Sequence, residues 1–373
     1  MMSDNGIYFY IHIPFCYKKC PYCSFVSYGG RLSLLRDYIE RLKQEIETFE
    51  TNKQVETIYF GGGTPSLLKP KHIEEIINLV TKRFKTNPKA EITLETIPID
   101  AKTERLKSFR NAGVNRLSIG VQSFEDQKLK RLGRLHNAKQ SRLSIENASK
   151  AGFRNISIDL LYGLDETDEE IVSDITEAVD MNVHHISTYM LSIEPGSKFF
   201  ELSKSGNLSL SSDDKLAHHY LLIGDFLEQA GFYQYEISNF SKVGYESRHN
   251  CAYWLGYDYR GFGLSASSFI NGTRYKNIDD LNTYLTSTHK PAIEEELDQE
   301  KIAREAFVLH LRTTQGVDVE RFTRRYGINP LEYFKNELKK HSLSGLIRID
   351  NGKIRLANRK AMLVSNAILA DFI

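Results

Sequence analysis

Six short runs rich in β-branched and aromatic residues alternate with amphipathic stretches, and this rhythm limits the fold more than any other feature of the chain. The runs cover 7–13, 55–60, 90–96, 116–121, 156–161 and 185–192. The spacing between them predicts helices over 34–49, 72–84, 138–151 and 168–179. A strand that returns parallel to its predecessor needs a crossover of about a dozen residues or more, and each interval is long enough. The pattern predicts an α/β fold built on a parallel sheet. Periodicity alone leaves open whether that sheet closes, lies flat or stops as a partial barrel.

The chemically active residues share one position in this rhythm. Cys16, Cys20 and Cys23 form a loop after the first run. Gly61-Gly62-Gly63-Thr64-Pro65 follows the second, Glu95 ends the third, Gln122 follows the fourth, and Asp159 lies near the end of the fifth. In parallel α/β folds the carboxyl ends of the strands form the active face. Five independent features on one edge mark it as a built site.

The length of 373 residues suits one large fold plus a smaller partner, and 41% hydrophobic content excludes disorder as the main state. Lys and Arg number 49 against 48 Asp and Glu, a net of +1, which argues against a global attraction to nucleic acid or acidic lipid. No apolar run approaches the ~18 residues of a membrane span. The start, MMSDNGIYFYIHIPFC, lacks a basic segment and a small-residue cleavage site, so the expected compartment is the cytoplasm.

Three parts are expected: residues 1–235 with the main fold, an aromatic and glycine-rich connecting region at 236–295, and a terminal domain at 296–373. Residues 231–263 read as loops over the sheet, and 294–305 as a charged helix. Helices are predicted at 318–326 and 330–340, then a hairpin at 348–355 turning on Asn351-Gly352. Helices followed by a hairpin suggest a small winged-helix-like domain. Residues 300–373 carry 14 Lys+Arg and 8 Asp+Glu, a local net of +6, which reads as a solvated face or a docking surface for a membrane or acidic partner.

The loop Cys16-Tyr17-Lys18-Lys19-Cys20-Pro21-Tyr22-Cys23 is C-x3-C-x2-C. Local, odd in number and in a chain expected to be cytosolic, it is not a disulfide framework. Three thiolates can hold three irons of a [4Fe–4S] cube and leave the fourth open to another ligand. The alternative is a structural zinc with a fourth ligand elsewhere, such as His12; zinc sites usually show two separated Cys/His pairs, and none is visible.

This spacing after a first strand resembles the radical S-adenosylmethionine (SAM) superfamily, and Gly61–Pro65 is similar to its glycine-rich segment. Glycine exposes backbone groups at close range there. Tyr10-Ile11-His12-Ile13-Pro14-Phe15-Cys16, Gly120-Val121-Gln122-Ser123-Phe124 and Asp159-Leu160-Leu161-Tyr162-Gly163-Leu164 resemble the oxygen-independent coproporphyrinogen III oxidase family over nearly the whole chain. The resemblance implies a partial six-stranded, TIM-like (β/α) barrel. It implies cluster ligands at Cys16, Cys20 and Cys23, and SAM contacts at Tyr10, Tyr22, Gly62, Gly63, Thr64, Glu95, Gln122, Arg134 and Asp159. Glu95 can accept from an ammonium, Arg134 can pair a carboxylate and Asp159 can accept from hydroxyls. The alternatives are a solvated Arg134 on a basic helix, and Glu95 and Asp159 serving only loop amides.

Two departures separate the chain from the oxidase. The oxidase resembles C-x3-C-x2-C-x-C, whereas Phe25 stands at the fourth position, and only nine residues precede Tyr10. Both point to the sister group of heme chaperones, whose H-N-x-x-Y-W signature stands here as His249-Asn250-Cys251-Ala252-Tyr253-Trp254. That resemblance implies heme contact at His249, Tyr253 and Trp254, with His249 the favoured ligand and stacking by the aromatic rings. Tyr233, Tyr235, Tyr245, Tyr257 and Tyr259 would extend the surface; the alternative is a buried aromatic cluster around a hydrogen-bonded histidine. Cys251 reads as a small buried residue. The pairs His184–His185 and His218–His219 carry no assigned role, and Gly261–Ala266 reads as a loop near the barrel mouth, not a nicotinamide site.

The function this implies is a heme chaperone that binds a [4Fe–4S] cluster, SAM and heme and passes heme to acceptor proteins, at a membrane or on a heme enzyme. Its implied partners include an electron donor of the flavodoxin kind, and it leaves room for a homodimer and for peripheral membrane attachment. The competing function is oxidative decarboxylation of coproporphyrinogen III, against which Phe25 and the short amino terminus argue. RNA modification is a remote third, with neither a basic balance nor an RNA module to support it.

Overall fold

Why the six runs become strands is clear in the computed structural model, which describes residues 5–288 and 290–373. They form β1 (Gly6–Ile13), β2 (Gln54–Gly62), β3 (Thr86–Thr96), β4 (Arg116–Gln122), β5 (Ile156–Tyr162) and β6 (His185–Met190). Successive side chains on a strand point to opposite faces. On β1 one face carries Ile7, Phe9, Ile11 and Ile13, all buried in the main apolar core. The other carries Tyr8, Tyr10 and His12. The same alternation sets Ile58 and Phe60 against Thr57 and Tyr59, Leu117 and Ile119 against Arg116 and Ser118, and Ile158 against Asp159. Parallel strands buried on both faces usually read as unbroken apolar runs. Here one face packs on helices and the other is polar and aromatic.

The helices between the strands are α1 (Leu35–Thr48), α2 (Pro70–Arg83), α3 (Thr103–Asn111), α4 (Asp126–Arg131), α5 (Ala138–Lys150) and α6 (Asp168–Asp180). Several crossover helices start on local chemistry. Asn137 with Gln140 and Thr167 with Glu170 form reciprocal capping boxes on α5 and α6, and Pro70 opens α2. Ile39, Leu42 and Ile46 of α1 and Ile73, Ile76 and Val80 of α2 meet the apolar face of the sheet.

After β6 come α7 (Lys198–Lys204), α8 (Asp213–Gln229), β7 (Tyr233–Gln234), β8 (Asn239–Ser241) and α9 (Arg248–Trp254). The strands β9 (Tyr259–Phe262), β10 (Ser267–Ile270), β11 (Thr273–Lys276) and β12 (Ala292–Glu296) complete one sheet of order β12-β11-β10-β9-β1-β2-β3-β4-β5-β6-β8-β7. β1 to β6 run parallel, and β9 joins β1 in parallel, pairing Tyr10 with Gly261 and Ile11 with Phe262. Three expectations are corrected here. Residues 231–263 extend the sheet at both edges instead of looping over it, and the 261–266 stretch begins as a strand. The expected helix at 294–305 divides into the exposed edge strand β12 and a helix, Gln299–Leu311.

A second apolar cluster gathers Phe307, Leu311, Phe322, Phe334, Leu338 and Phe372 with Tyr220 of α8. Asp318 caps the helix Val319–Tyr326, accepting from the Arg321 amide at 2.9 Å. The hairpin Ile347–Asp350/Lys353–Leu356 turns on Asn351 and Gly352 with φ of 48° and 72°, as an Asn-Gly turn requires. Among the described residues, no helix is long and apolar enough to cross a membrane.

Candidate functional site

A cavity of about 510 Å³ opens at the carboxyl ends of β2 to β6. Its wall includes Cys16, Cys20 and Cys23 together with Tyr22, Gly62, Gly63, Thr64, Glu95, Gln122, Arg134 and Asp159. The structure therefore brings together the three cysteines and every expected SAM contact but one. Tyr10 lies behind the wall: its hydroxyl bonds His12 Nδ1 at 3.1 Å, and its ring stacks near Tyr59 and His249.

The cysteine loop is fastened at both ends. Phe15–Cys16 pairs with Tyr28–Gly29, the Tyr28 amide donates to the Pro14 carbonyl at 2.7 Å, and the Cys23 amide donates to the Cys20 carbonyl at 3.1 Å. The glycine-rich turn is locked against it. Gly63 donates to the Ile13 carbonyl at 2.8 Å, and a Cβ there would lie 2.6 Å from the Phe15 carbonyl oxygen and 3.0 Å from Cys16 Sγ. Gly62 has φ +111°, and a Cβ there would meet the His12 ring at 2.5 Å. At both positions glycine is needed for the loop itself, in addition to any approach by a ligand.

His12 is not spare. Its Nε2 donates to the Val26 carbonyl at 3.0 Å and its Nδ1 faces the Tyr10 hydroxyl, while burial lowers its pKa and keeps it neutral. Among the described residues, no group of three or more His, Cys, Asp or Glu side chains is gathered to hold a single metal ion. The engagement of both ring nitrogens disfavours His12 as a fourth zinc ligand. The donor set on the loop is three thiols with no carboxylate among them, which suits soft, sulfur-bound iron. Cys16 and Cys23 have thiols raised above their ordinary pKa, mainly by burial.

Opposite the loop stand the charged groups. Glu95 accepts from the Tyr59 hydroxyl at 2.8 Å and from the Gly62 amide at 3.2 Å. Burial pushes its carboxyl up to about 7, with the charge of Asp159 adding to the rise. Asp159 is also raised by burial, against hydrogen bonds from Ser187 and Ser118. Arg134 is not on a solvated helix. It sits in the turn between α4 and α5, donates to the Gly120 carbonyl at 2.9 Å, and reaches Cys20 Sγ and the Tyr22 hydroxyl at 3.3 Å each. Gln122 adopts a left-handed φ of 68° at the end of β4, a strained backbone of the kind kept at functional sites.

The His249 segment is α9, packed under the strands. His249 is 1% exposed, with Nδ1 2.7 Å from Thr57 Oγ1 and Nε2 2.8 Å from the Tyr253 hydroxyl. Its ring stacks on Tyr59 at 4.9 Å, and burial lowers its pKa to about 3. Both ring nitrogens are thus engaged, so iron ligation requires the Tyr253 or Thr57 contact to open. Trp254 carries Arg312 over its ring at 5.3 Å. Tyr235 and Tyr257 are buried, so they extend a core and not a surface. Asn250 is the member of the segment that lines the cavity.

Residues 10–178 match the radical SAM superfamily, and residues 297–364 match the HemN C-terminal domain. The chain is 35% identical to the heme chaperone HemW of Bacillus subtilis (strain 168), over 98% of each chain. The chain belongs to the HemW family. It is also 35% identical to HemW of Lactococcus lactis, over 98% of this chain and 97% of that one. With HemW of Escherichia coli (strain K12) the identity is 39% over 69% of this chain and 68% of that one. The coproporphyrinogen III oxidase HemN from Escherichia coli shares the fold, with a TM-score of 0.84 over 99% of this chain and 91% of that one at 23% identity. The HemW relatives carry the name of a chaperone and not of an enzyme, in line with the expectation that leans away from catalysis.

For a HemW family member the cavity holds more than sequence reading found. Tyr59, Arg116, Ser118, His185, Ser187, Tyr189 and Asn250 also line it. The available signal was the polar face of the alternation, since all but Asn250 sit on it. His185, left without a role, has Nδ1 2.7 Å from Ser157 Oγ and Nε2 2.8 Å from the Tyr235 hydroxyl.

Proposed function

We propose that this chain is a heme chaperone whose cavity holds a [4Fe–4S] cluster and SAM, and which carries heme to acceptor proteins. The observation behind this reading is the convergence of three thiols, a glycine-rich turn and the Glu95, Arg134 and Asp159 side chains on one cavity, in a member of the HemW family. The sheet is read as a partial (β/α)6 barrel around its polar face. The terminal helices and hairpin are read as a winged-helix-like unit, with boundaries near residues 235 and 295.

In this reading Cys16, Cys20 and Cys23 hold the cluster. The cluster would supply an open iron for the amino acid end of SAM and, when reduced, an electron. Arg134, 3.3 Å from Cys20 Sγ, places a fixed cation beside the thiolate and keeps donors for a carboxylate. Glu95 is oriented by Tyr59 and Gly62 to accept from an ammonium, and Asp159 to accept from hydroxyls. Phe25, 66% exposed beside the mouth, supplies no thiol where the oxidase resembles a fourth cysteine. Heme contact at His249, Tyr253 and Trp254 requires the Tyr253 hydroxyl to leave Nε2 and α9 to shift. Acceptors, a reductant of the flavodoxin kind, a homodimer, and a cytoplasmic setting with peripheral membrane attachment complete the proposal.

The test is anaerobic reconstitution with iron and sulfide followed by hemin titration of wild type and His249→Ala. Saturable uptake with a Soret band, weakened in the variant while cluster absorption stays intact, is expected. Absence of uptake, or conversion of coproporphyrinogen to protoporphyrinogen, would displace the chaperone reading in favour of none or of the oxidase.

A further inference from the structure

The cavity floor holds a cation that none of the roles above uses. Arg116 is the first residue of β4, and the strand runs from it toward the mouth. At about 3.3 Å per residue its Cα lies about 13 Å below Gly120, where Arg134 is anchored. Its side chain is on the polar face, lines the cavity and is 2% exposed.

Three arginines are buried among the described residues, and two have partners. Arg260 pairs with Glu45 at 2.9 Å, and Arg41 donates to the Ser287 carbonyl at 3.2 Å. For Arg116 no hydrogen bond or ion pair is formed among the described residues, and its Nε is buried without a partner. Glu95 and Asp159 act on it only through space, and the neighbouring His185 has both ring nitrogens engaged. Buried charged groups are ordinarily paired and hydrogen-bonded. A guanidinium with a rigid fork of donors left unused in a cavity matches a planar, bidentate anion. Two carboxylates nearby disfavour a doubly charged ligand group, so a monoanionic carboxylate fits better than a phosphate.

We propose that Arg116 anchors a ligand carboxylate at the floor of the cavity, below the level of Arg134. The inference rests on the reading that the protein takes heme, which supplies this chemistry as a propionate; the amino acid end of SAM is already placed at the cluster and Arg134, about 13 Å nearer the mouth.

The test uses the full chain, anaerobically reconstituted, with two ligand pairs measured by equilibrium dialysis and absorbance. Hemin is compared with hemin dimethyl ester on wild type, Arg116→Lys and Arg116→Gln, and SAM with decarboxylated SAM is the pair that Arg116 should not affect. A charge-assisted pair of this kind should favour hemin over its dimethyl ester by about tenfold or more in wild type. That preference should shrink in Arg116→Lys and vanish in Arg116→Gln, while the preference for SAM over decarboxylated SAM stays as in wild type. A wild type that binds hemin and its dimethyl ester equally overturns the proposal without recourse to any variant. So does a preference unchanged in both variants, which would leave Arg116 solvated by cavity water. If hemin fails to bind wild type, the heme reading and this assignment fall together; equal binding of hemin and its ester overturns the assignment alone.

Discussion

Two buried regions of this protein contain polar groups, and they are solved in opposite ways. Beneath α1, Glu45 receives Arg260 at 2.9 Å, Asn277 at 2.8 Å, Tyr284 at 2.9 Å and the Gly263 amide at 3.0 Å. Every lone pair of that carboxylate is spoken for, and the cluster ties β9 and the 277–284 segment to the amino-terminal helix. In the cavity, Arg116, Arg134 and Asp159 keep capacity in reserve. Satisfied buried polarity holds a fold together, whereas polarity left incomplete in a cavity is capacity for a ligand.

The largest expected effect comes from breaking the satisfied side. Arg260→Met leaves Glu45 buried without its cation and should cost about 3–5 kcal/mol, read as a fall in urea midpoint. Adding Glu45→Gln should recover much of that loss. If Arg260→Met melts like wild type, the contrast between the two regions fails.

Gly63→Ala is next. Its Cβ would lie 2.6 Å from the Phe15 carbonyl oxygen and must displace the cysteine loop. A cost of about 1–3 kcal/mol is expected, with iron incorporation reduced more than stability. Full iron loading would show that the turn does not set the loop.

The third effect is a slope. Burial pushes the Glu95 carboxyl up to about 7 in the fold, against an ordinary value of about 4.5. The folded chain binds the extra proton, so the stability of the apo protein should fall as pH rises from about 4.5 through about 7. Asp159, also raised, acts in the same direction. Glu95→Gln should flatten the decline between pH 5 and 8 in urea melts; an unchanged slope would place its origin elsewhere.

The smallest effect is expected at Arg116. Arg116→Met removes a buried cation that has no close partner, so stability should stay within about 1 kcal/mol of wild type. A large loss would mean that the floor is structural, like the Glu45 cluster.

How far sequence reached follows the same division. β1 to β6 were legible because each is long enough to show its alternation, and the cysteines and Glu95 because they stand at or just past strand ends; Asp159 sits in the middle of β5 and was found through the motif around it. β7 and β8 hold two and three residues, too few for a period. β12 is an edge strand with three glutamates, which charge keeps from pairing onward and which made it read as a helix. Arg116 was missed because it begins its strand, at the end away from the expected active edge; only its long side chain brings it into the cavity. His249 was found by its motif, but its burial between Thr57, Tyr59 and Tyr253 depends on packing from β2, nearly two hundred residues earlier in the chain.

The most direct test of the site is iron and acid-labile sulfide analysis of anaerobically reconstituted protein, with electron paramagnetic resonance before and after SAM is added. About four irons and four sulfides per chain, with a signal that changes on SAM addition and is lost when Cys16, Cys20 and Cys23 are replaced by alanine, are the expected result. Stoichiometric zinc without sulfide, or iron that the triple variant binds equally well, would contradict it.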